Sequence, residues 1–281
     1  MTTAATLLPD AAALALVPGL EAGAPPAQLE RLTGGTVNSS WRVDTAQGRF
    51  VLRVDGPAWR RPGADRARER CLHDAAAAAG LAPRVLRREP ALGAQVSEFL
   101  DGRIWSAADI RRTESLARLG ARLAALHDLP APDGVAHFDP GGCARQYSRM
   151  LAPGAASSRQ ASALATAVGA AAQRVAEGGR GEGIVHGDLV AANLLEGKAV
   201  WLLDWEYAQV ADPLYDVACL LAYHPAARPH ARPLLAAAGL EAAADAVRLR
   251  AAIEVYEGLT ALWWLARGEQ LPAGGRGQLA G

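Results

Sequence analysis

Residues 184–216 read IVHGDLVAANLLEGKAVWLLDWEYAQVADPLYD, and the fold turns on that stretch. Leu194 and Leu195 are apolar, Glu196-Gly197-Lys198 is a turn signal, and residues 199–203 form a short apolar run. Folding back across that turn makes a hairpin and places Asn193 roughly opposite Trp201 or Leu202. Asp204 then lies just past the strand end, near enough for both side chains to share one cation. Asp188 is expected to be exposed in the loop that enters the hairpin. Magnesium takes hard oxygen ligands, usually one or two from protein, and Asn193 with Asp204 suits that habit. Asp188 is better placed to accept or orient a hydroxyl proton. Phosphoryl transfer from a nucleotide needs such a set.

HGDLVAANLL resembles the catalytic loop of the aminoglycoside phosphotransferase and choline kinase superfamily, which is related to the protein kinases. The protein-kinase form is H-R-D, four residues, then Asn; His186-Gly187-Asp188 and Asn193 keep that spacing, and Asp204-Trp205-Glu206 stands where D-F-G would. A lone HGD or DWE is an ordinary surface turn; the pair, joined by a hairpin and with Asn193 at the right offset, is not. The longer string DWEYAQVADPLYDVA is similar to the choline, ethanolamine and thiamine kinase branch. The resemblance implies an α+β, protein-kinase-like two-lobe fold, with a β-sheet N-lobe and a mainly helical C-lobe. It implies ATP and Mg2+ as cofactors, and transfer of the γ-phosphoryl to the hydroxyl of a cationic alcohol such as choline, ethanolamine or thiamine. Glu206 and Tyr207 would then be substrate-pocket residues and Asp216 a structural acid bracing the loop. The alternatives are an aminoglycoside or other antibiotic O-phosphotransferase, or a catalytically silent nucleotide-binding scaffold.

The 281 residues suit a two-lobed unit with ample core. With 29 basic and 29 acidic residues the formal charge is zero, so nothing electrostatic argues for nucleic acid or an anionic membrane. The partner expected is a small-molecule alcohol. Cys71, Cys143 and Cys219 are far apart and read as buried thiols of a reducing cytosol. The N-terminus has no basic region before its apolar stretch, and no apolar run has membrane-spanning length, so a cytoplasmic protein is expected.

Residues 1–30 read as a peripheral leader. Strands are predicted over 32–43 and 49–54, joined near 44–48. A helix over 65–79 closes at Gly80; strands over 85–86 and 94–100 follow, with a linker near 98–103. Ser106 and Asp109 make a capping box, and Leu116, Leu119, Leu123 and Leu126 give the next helix its apolar stripe. Further helices are predicted near 161–175 and from Tyr215 onward, and 271–281 as a loose tail. The nucleotide-binding lobe is thus 1–100 and the catalytic and substrate-binding lobe 101–281.

Within 33–40, Gly34 and Gly35 let backbone N–H groups approach phosphate oxygens. GGTVNSSWRV resembles the choline and thiamine kinase phosphate loop, which adds Asn38 and Ser39 as contacts. Period-two alternation puts Phe50, Leu52 and Val54 on one face and Arg53 on the other, where its fork can meet phosphates. Glu69 shares a helix side with Leu72 and Ala76; the family match makes it the partner of Arg53, while His73 or Arg66 are the local alternatives. By the same resemblance residues 98–100, with Glu98 and Leu100, form the hinge whose backbone holds adenine. Tyr215, Tyr223, Trp263 and Trp264 could face a cationic alcohol. The two tryptophans point about a hundred degrees apart on a helix, so at most one does. Glu241, Asp245, Glu254 and Glu257 are too scattered to favour an aminoglycoside.

Overall fold

Alternation across residues 48–55 builds the centre of a five-stranded antiparallel sheet, seen in a computed structural model. The structure describes residues 8–21, 23–32, 38–56, 64–151, 156–179, 181–241 and 245–268. The chain divides into one unit of 1–61 with 83–101 and another of 62–82 with 102–281.

In the first unit, β1 (Gln28–Leu32), β2 (Asn38–Thr45), β3 (Gly48–Asp55), β4 (Val85–Glu89) and β5 (Ala94–Glu98) pair in the order β1-β2-β3-β5-β4. Phe50 and Leu52 turn inward with Trp41, Val43 and Val96, as the alternation requires. The residues expected to form a peripheral leader are part of this unit. A short helix, α1 (Ala11–Leu14), and the segment after it bury Ala13, Val17 and Leu20 in the same core, and β1 adds the edge strand. β1 escaped the sequence because QLERL shows mostly exposed side chains, so no apolar period marks it.

The second unit begins with α2 (Arg66–Ala78), capped by Asp65. Glu69, Leu72, His73 and Ala76 are its buried face. The helix ends as the sequence predicts: Gly80 has φ +69°, Gly80 N–H donates to Ala77 O and Leu81 N–H to Ala76 O. Residues 62–82 were read as N-lobe, yet Leu72, Ala76 and Leu81 pack into this second core. Cys71 is exposed where a buried thiol was expected, because it lies off that face; Cys143 is half-buried and Cys219 buried.

There follow β6 (Arg103–Ile104), α3 (Ala107–Ile110), α4 (Thr113–His127), α5 (Pro140–Arg149), α6 (Ala156–Ala176), β7 (Gly183–Val185), β8 (Leu194–Glu196), β9 (Val200–Leu202), β10 (Gln209–Ala211), α7 (Leu214–Tyr223), α8 (Ala231–Ala237) and α9 (Ala246–Ala266). The capping box on α3 is present, with Asp109 accepting from Ser106 N–H at 2.8 Å. Leu116, Leu119, Leu123 and Leu126 on α4 are all fully buried. β6, β8 and β9 form one small sheet, and β10 pairs with β7. Among the described residues no helix is long and apolar enough to cross a membrane. Gly34, Gly35 and 271–281 lie outside the described residues.

Candidate active site

The hairpin forms one residue out of the expected register. Leu194 pairs with Leu202 and Leu195 with Trp201, so Asn193 stands opposite Leu203, whose N–H donates to Asn193 O at 2.8 Å. The cause is the loop, which takes in Ala199 as a third residue: Glu196 pairs with Val200, and Gly197 N–H donates to Ala199 O at 3.0 Å. Asp204 therefore follows directly on the residue that Asn193 binds. It is the sole non-glycine residue with positive φ (+59°) among those described, a conformation that ends the strand sharply and that aspartate tolerates better than most.

Asp188 is buried, at 7% exposure, against the expectation of an exposed carboxylate. Asn193 Nδ2 donates to its backbone oxygen at 2.9 Å and to Oδ2 at 3.0 Å. The hydrogen bonds use the amide nitrogen of Asn193; its amide oxygen and the Asp204 carboxylate are hard oxygen donors of the kind magnesium takes. Among the described residues no group of three or more His, Cys, Asp and Glu could hold a metal ion by itself. A two-oxygen protein set fits an ion whose other ligands are phosphate and water.

Asp216 braces the loop as the resemblance implied. Its Oδ2 accepts from His186 N–H at 3.0 Å and its Oδ1 from Gly187 N–H at 2.9 Å, while His127 Nε2 donates to Oδ2 at 3.0 Å. His186 donates from Nε2 to Leu203 O at 2.8 Å and accepts at Nδ1 from Asp188 N–H at 3.3 Å. That pattern is a neutral imidazole, and burial holds its pKa below the ordinary value. Trp205, in the D-F-G place, is buried between His186 and His73, with ring centroids 4.9 and 5.8 Å away.

Glu69 pairs with Arg66, the local alternative, and Arg66 also lies 3.9 Å from Glu206. Glu206 is buried and faces α2, whereas its neighbour Tyr207 lines a cavity of about 60 Å³. Phe138, Tyr147, Tyr223, Tyr256 and Trp263 complete its aromatic wall, and Gly187 borders it. Trp263 thus faces the cavity and Trp264 does not line it. The sequence missed Phe138, Tyr147 and Tyr256; Tyr256 was findable, since it precedes Trp263 by two turns on α9. Among the described residues no Asp or Glu lines the cavity. Glu254 and Glu257 pair with Arg174 and Arg228, Glu241 with Arg232, and Asp245 caps α9.

In the first unit, Asn38 is buried and Ser39 and Ser40 follow it on β2, with Ser40 directly across from Arg53. Arg53 lies 3.9 Å from Asp55. The Glu98 carboxylate accepts from Arg84 N–H at 2.8 Å, and Leu100 follows the end of β5.

The profile of the phosphotransferase enzyme family called APH matches residues 28–252, and the chain belongs to that family. It is a phosphotransferase with an alcohol acceptor, on an α+β, protein-kinase-like fold. A choline/ethanolamine kinase family protein from Mesorhizobium loti is 28% identical, with TM-score 0.72 over 91% of this chain and 84% of that one. The choline kinase LicA of Streptococcus pneumoniae shares the fold at 19% identity, with TM-score 0.72 over 93% of this chain and 94% of that one. A spectinomycin phosphotransferase, solved with ADP and spectinomycin, is 13% identical with TM-score 0.63, covering 90% of this chain and 85% of that one. No curated protein matches the sequence.

Proposed function

We propose that the protein transfers the γ-phosphoryl of ATP to the hydroxyl of a small cationic alcohol, with choline, ethanolamine and thiamine as the candidates. The observation that carries this reading is the aromatic cavity bordered by Gly187, the residue before Asp188. Ring faces attract a desolvated cation without needing a carboxylate in contact. An aminoglycoside carries several ammonium groups and calls for acidic side chains, but the acids of the C-terminal helices are engaged with arginines or a helix cap. Nucleotide complexes among the similar structures, with AMP and with ADP, support the nucleotide as donor.

In this reading Asp188 orients the acceptor hydroxyl and takes its proton, held in place by Asn193 Nδ2. Asn193 and Asp204 would hold Mg²⁺, which neutralises phosphate charge when bound. Arg53, Asn38 and Ser39, with Gly34 and Gly35, steady the phosphates, and the backbone of 98–100 holds adenine; Glu69 keeps Arg66 in place beside Glu206. Tyr207 and Trp263 present ring faces to the cationic head. Positioning and electrostatics supply most of the rate in such a reaction.

The test is ADP release with a panel of choline, ethanolamine, thiamine and aminoglycosides. ADP formation should be fastest with one of the first three. Asp188→Ala should lower kcat by about two to four decades, with KM for ATP little changed. Preference for an aminoglycoside would overturn the substrate class, and near-normal turnover by Asp188→Ala would overturn the mechanism.

A further inference from the structure

The backbone N–H groups of residues 186–191 all have acceptors, and four of the six come from one helix. Asp216 accepts from His186 and Gly187 at 3.0 and 2.9 Å. Cys219 Sγ accepts from Leu189 N–H at 3.2 Å, and His224 Nε2 from Ala191 N–H at 3.1 Å. The remaining two close within the loop, Asp188 N–H on His186 Nδ1 at 3.3 Å and Val190 N–H on Asp188 O at 2.9 Å.

Asp216, Cys219 and His224 are exceptions on their own element. The rest of buried α7 is aliphatic or aromatic, with Leu214, Val217, Ala218, Leu220 and Leu221 packed in the core beside Tyr215 and Tyr223. An apolar side chain at 219 or 224 would serve packing equally well. Instead each polar atom meets a loop N–H that would otherwise be buried without a partner, a loss of about 1–3 kcal/mol per group. Asp216 lies in the first turn of α7 and His224 is its C-cap. At about 1.5 Å per residue, the three acceptors span about 12 Å along the helix.

We propose that Cys219 and His224 are positioning residues for phosphoryl transfer. With Asp216 they form a row of acceptors on α7 that holds the loop in the one path presenting Asp188 and Asn193 together. This rests on the role proposed above for Asp188. Neither side chain touches substrate; both act through the backbone of 189 and 191.

The test compares variants that keep an acceptor with variants that remove it. His224→Gln carries an amide oxygen near the place of Nε2, and His224→Leu carries none; Cys219→Ser and Cys219→Val form a second pair. Steady-state kinetics with ATP and choline as the probe alcohol, or whichever alcohol the panel selects, are read beside thermal unfolding. His224→Leu should lower kcat about 10- to 100-fold with KM for ATP within about twofold, the signature of lost alignment. His224→Gln should recover kcat to within about fivefold of wild type, and Cys219→Ser should outperform Cys219→Val in the same sense. Equal kcat within each pair would overturn the inference, whether both variants fall or neither does. If His224→Leu does not fold, the cysteine pair decides. Asp188→Ala separates the two readings: normal turnover there overturns the mechanism itself, whereas a dead Asp188→Ala with matched kcat within the His224 and Cys219 pairs overturns the present inference alone.

Discussion

His186, in the loop at 186–191, and His224, against it, are neutral bases, and their state ties stability to pH. Burial lowers the His224 pKa from its ordinary 6.5 to about 4, with Asp188 opposing weakly, and burial lowers His186 as well. The sign follows. An unfolded chain takes up these protons as pH falls through about 6.5, while the folded chain refuses the His224 proton until about 4. The contribution is therefore complete above the unfolded value and lost as pH falls between the two. For His224 that loss amounts to about 3 kcal/mol at most. Thermal or denaturant unfolding should show a clear loss of stability from pH 7 to pH 4.5, and His224→Gln should flatten the slope. An unchanged slope in that variant would mean that His224 is protonated in the fold. At this scale the residue types were legible and their surroundings were not. Asp188, Asn193 and Asp204 stand out by spacing, but the burial of Asp188 and the acceptors of its loop come from residues about 30 positions downstream, such as Asp216 and Cys219. Sequence spacing carries no record of that closure.

Among the elements, α4 was the easiest to read and α7 the hardest. The four leucines of α4 repeat at helical spacing, and all are fully buried. Leu123→Ala should cost about 2–5 kcal/mol of stability, since it leaves a cavity in close-packed core. Because Leu123 is a core residue outside the proposed site set, kcat of the remaining folded enzyme should stay near wild type; chemical denaturation and specific activity per folded molecule check both halves. α7 is nearly all apolar, so its period says only that it is buried. Its function lies in three polar positions whose partners belong to another element. The hairpin sits between these cases: turn chemistry at Glu196-Gly197-Lys198 announced it, but the loop also takes in Ala199, which shifted its register by one. β1 was lost for the opposite reason, as an edge strand with few apolar residues to betray it.

For the molecule as a whole, binding and stability are linked through the proposed nucleotide site. A ligand that binds the folded state alone adds about 2.7 kcal/mol at a hundred times its Kd. ATP should therefore raise the unfolding temperature, and magnesium should raise it further. Asp204→Asn should keep the shift with ATP alone and lose the increment from magnesium; an intact increment would remove Asp204 from the proposed metal set. The sequence by itself determined the fold class, the family and the reaction, because those depend on short-range spacing: HGD with Asn193, a turn, then DWE. It also determined most helices, whose periods are written locally. The tertiary structure alone decided which tryptophan lines the cavity, that Glu206 turns to Arg66 rather than to the rings, and that α2 packs with the second core. It alone showed α7 accepting from the loop at 186–191. Those outcomes hang on contacts between residues tens to more than a hundred positions apart. Burial, hydrogen-bond satisfaction and side-chain direction are settled there by what the rest of the chain brings alongside.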